Sequence, residues 1–133
     1  MKKEQLVRHE FEPVYDKNSE ILILGSFPSV KSREQGFYYG HPQNRFWKVL
    51  AAIVQEKIPD SIEEKKEMLL RNHIAVYDVI WQCKITGSSD SSIKDVVPAD
   101  ITTIVELSKI RKIYANGKLA EKLFSKYQEK KVG

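Results

Sequence analysis

A single cysteine, Cys83, is all the thiol chemistry this 133-residue sequence offers. That excludes an internal disulfide and a zinc site of four thiolates. It also makes the reducing cytoplasm the expected compartment. Long apolar runs are missing too. The longest purely aliphatic stretch is Ile21-Leu22-Ile23-Leu24, far short of the roughly 20 apolar residues that a membrane helix needs. The opening Met1-Lys2-Lys3-Glu4 leads into nothing apolar, so a secretory signal is not expected. No repeat and no low-complexity block is visible. No histidine or cysteine pair stands at metal-ligand spacing.

What remains is ordinary globular material, with 41% hydrophobic and 30% charged residues. The length fits one domain spanning residues 1–133, with a single real core. The excess of 22 basic over 18 acidic residues gives a net charge of +4, compatible with a polyanionic partner but not diagnostic of one.

Short apolar runs alternate with longer amphipathic ones. Ile21–Leu24, Ile74–Tyr77 and Lys112–Ala115 read as buried strands. Phe46, Leu50, Ile53 and Val54 recur at helical spacing and predict a helix over about 42–55, with Pro42 in its first turn. Ser61-Ile62-Glu63-Glu64 is a capping-box signature for a helix running to about Asn72. A short helix over roughly 98–107 follows, and a last one opens at Gly117 with Leu119, Leu123, Phe124 and Tyr127 as its stripe. Gly25 to His41 reads as an irregular loop. The alternation predicts an α/β fold with a parallel sheet and right-handed crossovers. Ligands in such folds sit at the carboxyl ends of the strands, here Gly25-Ser26-Phe27-Pro28-Ser29, Asp78 and Asn116-Gly117.

The chemistry concentrates in GSFPSVKSREQGFYYGHPQNRFW, from Gly25 to Trp47. Phe37, Tyr38 and Tyr39 stand between Gly36 and Gly40, either as a surface that stacks a flat ligand or as a loop folded over the core. Asn44 lies where an amide commonly caps a helix. His41 before Pro42 reads as a hydrogen-bonding loop residue. Ser29, Lys31 and Ser32 suit either a phosphate or a solvated loop. Asp78 points into a site or closes a turn, and Asn116-Gly117 approaches a ligand or only turns the chain. Asp90, Ser91 and Ser92 read as a brace for the loop around them, and Cys83 as a buried apolar residue.

The pattern Gly-x-x-Pro-x followed by Gly-Phe-x-x-x-His-Pro-x-Asn-x-Phe-Trp resembles the first motif region of mismatch-specific uracil- and thymine-DNA glycosylases. The strings GSFPS and GFYYGHPQNRFW look most like the deoxyinosine (hypoxanthine) branch of the uracil-DNA glycosylase superfamily. GSSDSSIKDVVPADI and IRKIYANGKLAEKLFSKY resemble the family's central loop and its third strand with the helix after it. The resemblance implies a three-layer α/β/α fold around a parallel sheet. It implies an enzyme of base-excision repair that extrudes a deaminated base from DNA and hydrolyses its N-glycosidic bond, without metal or other cofactor. The expected partner is DNA carrying such a base, with no membrane, and the expected form is a monomer.

Carried over by position, the resemblance assigns catalysis to Asn44, with His41 as a second candidate. It assigns contact with the base to Ser26, Phe27 and Tyr39, and the flanking phosphates to Ser29, Lys31 and Ser32. The absence of lysine from the aromatic block implies a water-using enzyme without a Schiff base. Two departures stand against this. Phe27 occupies the place where mismatch-specific relatives hold an asparagine that positions water. The sequence also stops before the last strand and the second motif of the family. The alternative implied by both is an inactive glycosylase-like module that binds nucleic acid. A serine hydrolase is remote, because the Gly25–Ser29 run lacks the G-x-S-x-G elbow.

Overall fold

The computed structural model describes residues 4–9, 11–40, 44–87 and 89–127, apart from the side chains of Lys31, Gln35, Asp90 and Tyr127. Its centre is a parallel sheet of β2 (Ile21–Gly25), β3 (Ile74–Asp78) and β6 (Lys112–Ala115), in the order β3-β2-β6. Pairing runs in step, from Ile21 opposite Ile74 and Lys112 to Leu24 opposite Tyr77 and Ala115. These short runs are apolar because helices cover a parallel sheet. Leu22, Leu24, Ala75 and Val76 have no exposed surface. Each buried leucine contributes about 1.5–3 kcal/mol. Val14 exchanges two backbone hydrogen bonds with Val76 and protects the outer side of β3. Among the described residues no strand pairs with the outer side of β6, and Tyr114 there is half exposed.

Local chemistry explains the helices. α3 (Ile62–Arg71) begins where Ser61 Oγ accepts from Glu64 N–H, as the capping box predicts. α2 (Phe46–Ile53) buries Trp47, Leu50 and Ala51 but is shorter than the predicted 42–55. Pro42 lies outside the described residues. α4 (Ile101–Glu106) is capped by Asp100, whose carboxylate accepts from Thr103 N–H. α5 (Lys118–Tyr127) follows Gly117, whose φ of 104° is a conformation that glycine alone enters freely.

Two features correct the sequence reading. The stretch after Gly25 is not wholly irregular, because it holds α1 (Val30–Gln35). Ser29 Oγ accepts from Ser32 N–H at its start, and Gly36 ends it in the left-handed region with φ 72°. The second feature is a separate antiparallel sheet of β1 (Glu4–Arg8), β4 (Ile80–Thr86) and β5 (Lys94–Pro98), in the order β1-β4-β5. Only Val79 separates β3 from β4, so the chain passes from one sheet to the other beside Asp78. Val79 N–H donates to the Gly25 carbonyl (2.8 Å) and Ile80 N–H to that of Ser26 (3.1 Å), locking the two strand ends together. No helix among the described residues is long and apolar enough to cross a membrane.

Candidate active site

The strand order turns on β2, with the neighbours added after it on either side, and ligands are expected beyond the carboxyl end of such a strand. A cavity of about 160 Å³ opens there. Gly25 to Ser29 form one wall, Tyr38 and Tyr39 another, and Ser32, Asn44, Asp78 and Asn116 complete it. Three separate parts of the sequence, the stretch from Gly25 to Asn44, Asp78 and Asn116, thus meet in one place.

The aromatic run divides its labour. Phe37 and Tyr38 are buried; Phe37 stacks near Trp47 (5.9 Å, 16°), and Tyr38 Oη donates to the Glu12 carbonyl (2.7 Å). Tyr39 is only partly buried and lies on the Phe46 ring (3.9 Å, 23°). Its φ of 53° is uncommon for a residue with a large side chain, and such strain clusters at functional sites. Ser32 holds this loop in place, with its buried Oγ accepting from Gly40 N–H at 2.9 Å. The reading of the run as a loop folded over the core holds for Phe37 and Tyr38. Tyr38 and Tyr39 both line the cavity.

Asn44 stands just before α2. Its Oδ1 accepts from Phe46 N–H (2.8 Å), which fixes the direction of the amide, while Arg45 at the cap position makes no side-chain capping bond. The carbonyl oxygen keeps a second lone pair.

Asp78 is buried, and its Oδ2 lies 2.7 Å from His9 Nε2. Its Oδ1 stands over Gly25, where a Cβ would come within 2.4 Å of it and 3.1 Å of Tyr39 Oη. Glycine is needed here for close approach. Burial, and after it the Asp78 charge, pushes the Tyr38 and Tyr39 hydroxyls far above their ordinary value, with Asn116 opposing in lesser degree at Tyr39. The same two causes take Tyr77 up to about 12. All three rings stay neutral donors at physiological pH. Among the described residues no group of three or more His, Cys, Asp or Glu could hold a metal ion.

The family model of the uracil DNA glycosylase superfamily matches residues 12–133, nearly the whole chain. The chain belongs to the uracil DNA glycosylase superfamily. Within it, the hypoxanthine DNA glycosylase of Methanosarcina acetivorans is 38% identical over 117 residues, covering 86% of this chain and 74% of that protein. That of Methanosarcina barkeri is 37% identical over 110 residues, covering 81% and 70%. A solution NMR structure of a candidate uracil DNA glycosylase from Methanosarcina acetivorans superposes with a TM-score of 0.78 at 36% identity. It covers 92% of this chain and 78% of that one. The α/β fold with its parallel sheet is the fold of that neighbour.

Of the residues that the family resemblance singled out, Ser26, Phe27, Ser29, Ser32, Tyr39 and Asn44 all line the cavity. His41 lies outside the described residues, as does the side chain of Lys31. Ser29 and Ser32 are bonded to each other (3.1 Å), so their hydroxyls shape the loop as well as the wall. Phe27 packs edge-on toward His9 (6.2 Å), beneath the Arg33 guanidinium (5.7 Å). Asp78 lines the cavity, in keeping with the first of its two sequence readings. His9 is the residue that sequence reasoning missed. It sits beyond β1 in a segment with no recognisable pattern, and its partner is 69 residues away. A buried imidazole cannot be told from a surface one by spacing alone.

Proposed function

We propose that this chain removes a deaminated base, hypoxanthine first and uracil after it, from DNA by hydrolysing the N-glycosidic bond. The observation that carries the reading is the cavity itself, where a stacked ring (Tyr39), an oriented amide (Asn44) and a buried carboxylate (Asp78) face one base-sized space. An extruded base would lie on the rigid Tyr39–Phe46 stack. Extrusion costs a few kcal/mol, least for a poorly paired base, which already favours a mismatch. The backbone around Ser26 and Phe27 would meet the base edge, with the Asp78 carboxylate accepting from a ring N–H.

Asn44 would then hold water through the lone pair that Phe46 leaves unused. Water oxygen bonds to C1′ as the bond from C1′ to the base breaks. The electron pair leaves with the base, and a water proton passes to solvent. The sugar is electron-poor at that moment, so orientation suffices and a strong general base is not required. Donors aimed at the departing base supply much of the rate. Ser29 and Lys31 are candidates for the flanking phosphates. Ser32 acts through the loop it braces, and His41 keeps the part of a second catalytic candidate. A single domain acting as a monomer in the cytoplasm belongs to the same proposal.

Single-turnover cleavage of labelled duplexes carrying one deoxyinosine or one deoxyuridine tests it. Alkali-labile product, strongest with deoxyinosine, is expected. Asn44→Ala should lower the rate at least about a hundredfold while DNA binding persists, and an unchanged rate would sink the role of Asn44. Phe27 favours a second reading, because a phenyl ring in the cavity wall cannot orient water. A folded chain that binds the duplexes and cleaves neither would make it a base-binding module.

A further inference from the structure

His9 and Asp78 form a pair closed off from solvent, with 0% and 5% of their side-chain surfaces exposed. The imidazole is boxed by Phe11 (4.6 Å), Tyr77 (4.8 Å) and Tyr38 (5.7 Å), so it has no room to turn. Its Nδ1 is buried without a hydrogen-bond partner among the described residues. A proton on Nδ1 would be a buried, unsatisfied donor, so the favoured form carries its proton on Nε2 and gives it to Asp78 Oδ2. Oδ2 is thereby occupied by the donor, and Oδ1 is left standing over Gly25 at the cavity wall. The backbone fixes the donor as well, since His9 N–H donates to the Trp81 carbonyl at 2.7 Å.

We infer that His9 is a positioning residue that keeps Asp78 a pure hydrogen-bond acceptor and thereby sets the choice of base. The inference rests on the glycosylase reading of the cavity and names how its specificity arises. Deaminated bases carry a ring N–H, at N1 of hypoxanthine and N3 of uracil, which an ionised carboxylate accepts. Adenine and cytosine present a lone pair at the same ring position, which the carboxylate repels. Without His9 the buried carboxylate takes up a proton more readily. As a carboxylic acid it becomes a donor to that lone pair, and the discrimination falls. The other ionisable groups facing the pair are the Tyr38, Tyr39 and Tyr77 hydroxyls, with Glu12 beyond Tyr38 and Tyr77; the three hydroxyls stay protonated near neutrality.

The test follows the Asp78 side-chain carboxyl by carbon NMR against pH in the parent, His9→Ala and His9→Gln, all checked for folding. This readout does not require catalysis. His9→Ala, which removes the donor from Oδ2, should move the Asp78 carboxyl titration upward relative to the parent. His9→Gln, whose amide N–H can replace Nε2, should restore most of it. In the cleavage assay the acid limb of the deoxyinosine profile should move with the titration in the same variants. A folded His9→Ala chain with unshifted Asp78 titration, or a His9→Gln chain no closer to the parent than His9→Ala, would overturn the positioning role. Asp78 titrating as expected in a parent that cleaves nothing would instead count against the glycosylase reading alone.

Discussion

Gly25→Ala probes the packing on which the whole site depends. The added methyl would stand 2.4 Å from Asp78 Oδ1, and ordinary contact begins at 3.4 Å, so the oxygen must retreat about 1 Å. The cavity gives Oδ1 room, but Oδ2 is tied to His9 at 2.7 Å, so the carboxylate cannot move that far and keep this bond. The retreat therefore breaks a buried hydrogen bond to a charged group, which costs about 1.5–3 kcal/mol. Alanine returns about 0.4–1 kcal/mol by restricting the unfolded chain. The net loss of about 1–2 kcal/mol should lower Tm by roughly 4–8 °C in a domain of this size. Moving the carboxylate by that distance should also slow deoxyinosine cleavage by about a hundredfold. Thermal unfolding followed by circular dichroism gives the first quantity and single-turnover cleavage the second. A variant that melts within a degree of the parent and cleaves at its rate would refute the placement of Asp78 over Gly25.

Ser32→Ala should destabilise the chain by about 1–3 kcal/mol, because it strands the Gly40 N–H that Ser32 Oγ accepts at 2.9 Å. It should also loosen Tyr39, visible as weaker base-dependent quenching of tyrosine fluorescence. Stability should fall steeply above about pH 10. The Tyr38, Tyr39 and Tyr77 hydroxyls ionise at higher pH in the folded chain than in the unfolded one. The unfolded state thus loses protons first, so the stability these rings provide is intact below pH 10 and is lost as pH rises, through about 12 for Tyr77. Each ring that stays protonated steepens the fall by up to about 1.4 kcal/mol per pH unit. Melting curves between pH 9 and 12, with tyrosinate absorbance recorded alongside, measure it, and a flat Tm would contradict the burial of these hydroxyls.

Strands β2 and β3 of the parallel sheet were legible in the sequence because they are covered on both faces, which demands the unbroken apolar runs Ile21–Leu24 and Ile74–Tyr77. Lys112–Ala115, at the sheet edge with Lys112 and Tyr114 exposed, was legible from its short β-branched and aromatic content instead. The caps of α3 were legible for a different reason, since Ser61 and Glu64 interact within one turn. The antiparallel sheet had neither advantage. Four of the five residues of β1 are exposed, and β5 is Lys-Asp-Val-Val-Pro, a string with no buried residue and a proline at its end. The register of β4 against β5 slips twice, so no clean alternation survives. Such strands exist because distant backbones pair, and that pairing leaves little trace in local composition. α1 escaped notice because six residues are too few to show a period.

The candidate site divides along the same line. Gly25 to Trp47 places Ser26, Phe27, Ser29, Ser32, Tyr39 and Asn44 on one continuous stretch, so spacing and motif locate them together. Asp78 belongs to another strand end and His9 to a segment before the first parallel strand. Their meeting depends on β1 pairing with β4 from Glu4 opposite Thr86 to Arg8 opposite Gln82, which carries His9 to the point where β3 gives way to β4. The sheet that the sequence concealed is thus the one that delivers the imidazole to the carboxylate. If that is its purpose, β1 need not be apolar. It needs only the right length and register, and the exposed residues of Glu4-Gln5-Leu6-Val7-Arg8 fit that requirement. Shortening β1 by one residue while keeping His9 in sequence should therefore disconnect Asp78 as thoroughly as His9→Ala, with the same upward shift in the Asp78 titration.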